Sequence, residues 1–164
     1  MVYLSQFGGS GPLSHLLSNW KIAPLVRYQS GLPANPVTGK DNSLTGVGSD
    51  RPDVATLTAY TGNPHGKLYQ YVNPKLFTPN ALGTFGNAGH NSLWGPEYFD
   101  VDVALTREFK LSEGLTFHAR GEAFNVLNHP NFGSPNGNIS SSTFGQIRSA
   151  RDPRILQASV KLIF

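Results

Sequence analysis

The chain has 164 residues, only 14% of them charged, with a net charge of +3 and a sequence pI near 9.3. Its basic residues are scattered singly, so no run or basic helix points to nucleic acid. The absence of cysteine excludes a disulfide framework and thiolate-ligated zinc. Gly (18) and Pro (12) are abundant, which favours strands, turns and long loops over helices. No apolar run is long enough for a transmembrane helix, and the first residues lack the pattern of a signal peptide. A strand-built membrane wall stays open, because a barrel strand needs only ~9–11 residues with alternate ones apolar.

In chain order, Met1 to Leu4 resembles the end of a strand, and "SQFGGSGPLSHLLSN" a Gly/Ser-rich turn with one helical turn at His15 to Leu17. Its "GGSG" has no P-loop lysine after it and reads as a flexible turn. Residues 20–32 alternate: Trp20, Ile22, Pro24, Val26 and Tyr28 on one face, Lys21, Ala23, Leu25, Arg27 and Gln29 on the other. Pro24 removes a ladder donor and argues for an edge. Residues 33–97 are polar and without sustained period, too long for an ordinary connection. They read as a folded outer loop containing a few short strands or turns.

Residues 98–109 alternate again, with Phe99, Val101, Val103 and Leu105 opposite Asp100, Asp102, Ala104 and Thr106. "KLSEG" at 110–114 is a tight turn. Residues 115–127 place Leu115, Phe117, Ala119, Gly121 and Ala123 opposite Thr116, His118, Arg120 and Glu122, completing an antiparallel hairpin. Residues 128–153 form a second long loop. The last strand, 155–164, carries Leu156, Ala158, Val160, Leu162 and Phe164 on one face and Gln157, Ser159 and Lys161 on the other, with Ile163 the exception. Short and long connections alternate, as in barrels with short inner turns and long outer loops. The expected fold is all-β: antiparallel strands forming part of an incomplete transmembrane β-barrel.

Candidate chemistry is sparse. Asp100 and Asp102 are ~6.6 Å apart by strand rise, compatible with a carboxylate pair. The competing reading, and the one adopted, is a polar ladder with Arg27, Arg120 and Lys161 lining a lumen together with His118 and Glu122. His118 and Glu122, four apart on a strand, are ~13 Å apart and cannot share a metal unaided. His129 reads as turn chemistry, His65 and His90 as loop residues without ligand spacing, and "ISSSTFG" as a solvated loop without a nucleophile elbow. No catalytic, cofactor or metal site is expected. Trp20, Tyr98, Phe99 and Phe164 fall near strand ends, where an aromatic girdle sits.

"GTFGNAGHNSLWGPEYFDVDVALTREFKL", "FHARGEAFNVLNHPNFGSPN", "FGQIRSARDPR" and "LQASVKLIF", with "RYQSGLP" and "DRPDV", resemble the C-terminal end of TonB-dependent outer-membrane receptors. Within these they are similar to the Oar-like group, which carries an N-terminal carboxypeptidase-regulatory-like domain. His90 departs from the pattern, where Arg is expected. The resemblance implies a fragment of a receptor whose signal peptide, TonB-contacting segment and plug precede a barrel of about 22 strands. It implies uptake of a small ligand of unknown identity across the outer membrane of a Gram-negative bacterium. The implied partners are outer-membrane lipid, the barrel assembly machinery and, through the missing N-terminal parts, the TonB complex. The terminal strand, Leu156 to Phe164, would be the assembly signal. The alternative is a secreted β-sandwich binding or adhesin module, whose apolar faces would be buried on a second sheet; a hydrolase built on the two aspartates comes third.

Overall fold

The computed structural model describes residues 2–3, 20–56 and 68–164. The expected helical turn at residues 15–17, the "GGSG" turn and His65 lie outside them. The chain divides into two compact units, one made of residues 1–28, 99–130 and 152–164, the other of 29–98 and 131–151.

The first unit is a single five-stranded sheet. In chain order its strands are β1 (Val2–Tyr3), β2 (Lys21–Gln29), β7 (Tyr98–Ser112), β8 (Leu115–Phe124) and β9 (Ile155–Ile163), and they lie side by side in that order. The labels β3 to β6 belong to short strands of the second unit. β7, β8 and β9 pair antiparallel, with Leu105 opposite Gly121 and Gly121 opposite Ala158. Strand period and register together send every second residue to the same face across all three strands.

The strand ends have local causes. β7 runs to Ser112, beyond the expected end at 109, because a register shift between Lys110 and Ser112 absorbs an extra residue. The turn therefore tightens around Gly114, whose φ of 88° is one that side chains resist. β8 stops at Phe124, short of 127, because Asn125 takes a φ of 48° and an Asn tolerates that left-handed backbone. The Asn125 side chain closes the turn by donating to the His129 carbonyl and accepting from the His129 N–H, each at 2.9 Å. Pro24 sits inside β2, but β1 pairs only with Lys21 and Ile22, so the proline lies beyond the described pairing on that side.

The second unit is built from both long loops. Its short strands pair as β3 (Pro33–Ala34) with β6 (Leu93–Trp94) and β4 (Asp53–Val54) with β5 (Phe77–Thr78). Single 3-10 turns cover Leu68–Gln70 and Pro74–Leu76. The core contains Tyr71, Val72, Phe77, Leu93, Phe144 and Ile147, with Phe77 and Phe144 edge to face at 5.1 Å. Backbone hydrogen bonds tie the loops together: Val72 N–H to Gly145 carbonyl at 3.0 Å, Ile147 N–H to Leu68 carbonyl at 2.8 Å, Ile139 N–H to Val37 carbonyl at 2.9 Å.

Gly145 marks a close approach of the two loops. Its φ is 72°, and a Cβ there would stand 2.8 Å from both the Val72 Cβ and the Val72 carbonyl oxygen. Replacing Gly145 with Ala is expected to destabilise this unit by roughly 1–3 kcal/mol, from the left-handed backbone and from overpacking. Limited proteolysis of the folded protein checks it: cleavage within 68–77 and 139–147 should quicken while the β7–β8 hairpin stays resistant. An unchanged digestion rate would mean that the two loops do not depend on this contact.

Candidate functional site

The polar face of the sheet gathers most of the charged residues singled out in the sequence. Asp100 and Asp102 project from β7, and both accept hydrogen bonds from the Arg27 guanidinium of β2, Asp102 at 3.0 Å. Asp102 uses its other oxygen to accept from the Asn125 N–H at 3.0 Å, so it joins three segments of the sheet unit. The Asp100 side chain is only 4% exposed, whereas Arg27 is 52% exposed. The arginine covers the carboxylate from the solvent side, its stem spanning the sheet while its head stays wet.

Further along the same face, Lys21 meets Glu108 at 3.1 Å and His118 lies 3.9 Å from the same carboxylate. Arg120 donates to Glu122 at 2.6 Å, and Gln157 of β9 donates to the other Glu122 oxygen at 3.0 Å. Lys161 is in register with His118. The ladder therefore runs β2–β7 and β8–β9, with Glu108 and His118 linking the two halves. The pairs Lys21–Glu108 and Arg27–Asp100 run in opposite sequence order, the mark of antiparallel neighbours.

Asp100 and Asp102 are thus held by donors, and the chemistry of the arrangement is that of a charged wall. His118 and Glu122 pair with different partners. Among the described residues, no group of three or more His, Cys, Asp or Glu side chains is placed to hold a metal. His129 packs its ring edge-on against Phe99 at 5.7 Å.

Glu108 and Lys21 were not singled out from the sequence, although their phase reveals them. Glu108 is in step with Asp100, and Lys21 with Arg27. Phase also exposes an exception on the other face. Arg107 is in step with Leu105 and Phe109, yet it is only 5% exposed. Its guanidinium lies 4.3 Å from the Phe109 ring centre and 5.6 Å from that of Trp20. Aromatic faces attract such a cation and shield it on an otherwise apolar surface.

Along β9 that apolar face is open, while most of its β7 and β8 residues are half-buried. Leu156, Val160 and Leu162 of β9 are 71%, 65% and 55% exposed, and Phe164 is fully exposed. A row of this kind on a sheet with strand-length spans fits a wall that meets hydrocarbon. The family model of the outer membrane beta barrel domain matches residues 3–157. The chain belongs to that family. No curated protein and no solved structure matches it. Membership places this barrel protein in the cell outer membrane, and the five described strands of the sheet leave the barrel unclosed. The secreted sandwich, which needs a second sheet against the apolar face, is set aside by the family match and by the exposure of β9.

The loop unit of the barrel protein carries a second polar cluster, which sequence reading missed. Asp50 accepts from the Ser43 N–H at 2.6 Å and from the Ser43 hydroxyl at 2.7 Å. Asp41 accepts from the N–H groups of Thr45 at 3.0 Å and Gly46 at 2.7 Å. Two aspartates thereby organise residues 41–50, where Leu44 and Gly46 take positive φ. The only sequence signal was the spacing of Asp, Ser and Thr in "DNSLTGVGSD", a pattern typical of side-chain-closed turns.

Two outcomes follow. The Ser43 side-chain hydrogen bond, then the Ser43 N–H, hold the Asp50 carboxyl below the usual carboxylate range. A depressed folded-state pKa contributes stability that is present above the unfolded value of about 3.9 and is lost as pH falls through the folded value. Proteolysis within 41–50 should therefore accelerate in acid below about pH 4, and Asp50→Asn should remove that acid dependence while raising the rate at neutral pH. In the sheet, Arg27→Ala takes from the nearly buried Asp100 a guanidinium that donates to it and should cost about 1–3 kcal/mol. Adding Asp100→Asn should recover part of that loss, read from the heat needed to shift the folded band on a semi-native gel.

Proposed function

We propose that the chain forms part of a TonB-dependent receptor of the Oar-like kind, taking up a small ligand actively across the outer membrane. The observation that carries this reading is the construction of the loops. Connections as long as 33–97 and 128–153 are ordinarily functional or disordered. Here they build a unit with its own buried core. Ordering so many loop residues is entropically costly, and ligand capture at the cell surface is a role that needs it. The resemblance of "GTFGNAGHNS", "FGQIRSARDPR" and the terminal strand to such receptors supports the same reading.

In this proposal the polar ladder of Asp100, Asp102, His118, Arg120, Glu122 and Lys161 faces the lumen, and Leu156, Ala158, Val160, Leu162 and Phe164 face lipid. No catalytic step is assigned to the chain. Plug and TonB contact would come from other parts of the receptor, and the barrel assembly machinery would read the terminal strand.

The test uses the receptor in its native cells. Protease added to intact cells should cut within 33–97 or 128–153 and spare 110–114. Growth on the limiting nutrient that the receptor serves should need both the receptor and a functional TonB. Growth that depends on the receptor but persists without TonB would reduce the protein to a passive barrel.

The terminal face has its own test. Val160→Lys should destabilise the assembled barrel by ~2–4 kcal/mol if position 160 lies near the bilayer midplane, and by less near the rim. Deleting Phe164 should lower surface abundance and leave the ligand affinity of assembled molecules unchanged. Normal abundance with weakened binding would make the terminal strand a ligand site.

A further inference from the structure

The loop unit contains a cleft of about 490 Å³ between residues 69–77 and 139–146, within the ~300–1,000 Å³ typical of small-ligand sites. Three aromatic rings line it. Phe77 and Phe144 belong to the core, while Tyr69 is 69% exposed. A large ring left exposed beside a cleft offers a flat apolar surface with a negative face.

The polar lining is just as selective. Among the described residues, no carboxylate lines the cleft, and Lys75 is its one charged side chain. Gln70 and Gln146 supply neutral amides, each able to donate and accept. None of these three side chains has a hydrogen bond or ion pair with another described residue. Much of the backbone around them is occupied: the N–H groups of Val72, Leu76, Phe144, Gly145 and Gln146 all donate within the unit. A peptide adding itself as a strand would need such groups free. Recognition here must run through side chains.

A ring of C–H groups with hydroxyls around its rim fits this combination. Its C–H face stacks on an aromatic ring, and its hydroxyls exchange hydrogen bonds with amides. A phosphate-rich ligand would call for several cations or a nest of free N–H groups, and the cleft has one lysine. We propose that this cleft binds a saccharide, with Lys75 favouring one that contains uronic-acid units. The proposal names a ligand class for the loop unit and rests on the uptake reading only in that both put capture on the outer loops.

The experiment uses cells that display the whole receptor of which this chain is proposed to be part, treated with a protonophore so that binding is read without transport. The probes are fluorescein-labelled hexagalacturonate, labelled maltohexaose as a neutral saccharide, and labelled hexaglutamate as an acidic peptide, with surface levels normalised by antibody. Hexagalacturonate should bind best. Tyr69→Ala should weaken both saccharides by roughly tenfold, the scale of one good contact, and Tyr69→Phe should retain binding. Lys75→Gln should bring hexagalacturonate down to the level of maltohexaose. The proposal is overturned if neither saccharide binds, if Tyr69→Ala and Lys75→Gln both bind as the parent does, or if hexaglutamate binds best. Saccharide binding without accumulation once the protonophore is withdrawn would sink the uptake reading and leave the cleft assignment standing. TonB-dependent nutrient uptake without saccharide binding would do the reverse.

Discussion

Hydrocarbon offers backbone groups nothing to bond with, so a membrane wall made of strands must pair its N–H and C=O groups internally. The antiparallel ladder through β7, β8 and β9 meets that demand for this chain, and its register decides everything laid upon it. With the register set, one face collects Leu156, Val160 and Leu162, and the other collects Asp102, Glu108, Arg120 and Glu122. A slip of one residue would send charges to lipid and leucines to water. The bulge at Lys110–Ser112 and the positive φ at Gly114 hold that register at the turn.

The charges on the polar face form linked pairs, most of which join neighbouring strands. Arg27 grips two aspartates of β7, and Asp102 also caps the Asn125 N–H where β8 ends. Glu122 is shared between Arg120 on its own strand and Gln157 on the next. Single exposed pairs of this kind contribute little, but Asp100 is almost fully covered, so its contact with Arg27 is shielded from water. On the opposite face Arg107 is accommodated by two aromatic rings, which lets a cation sit where apolar neighbours dominate.

The loop unit rests on different physics. Its described residues hold no long strand, and its order comes from a small aromatic core, from Asp41 and Asp50 closing a turn, and from close backbone approach at Gly145. Such a unit can present side chains whose hydrogen-bonding groups are not already committed. The cleft beside Tyr69 is made that way. A polar wall and a folded loop unit therefore differ in construction: one ties strands of the sheet, and the other is the part to which ligand capture is proposed.

The sequence by itself determined the parts governed by period two. The alternation in 98–109, 115–127 and 155–164 marks strands, their faces and the hairpin, because side-chain direction in a strand depends only on position along the chain. The resemblance of the terminal motifs led to the outer membrane, where the family match also places the protein. Phase alone could have added Glu108, Lys21 and Arg107. Only the tertiary structure decided what happens in 33–97 and 128–153, because their contacts join residues as far apart as Thr38 and Ser140, which no local pattern encodes. The same holds for Arg27 choosing Asp100 and Asp102, and for Asn125 ending β8 early. Partner choice among several charges on one face, and the folding of one loop against another, depend on distances in space that chain order does not carry.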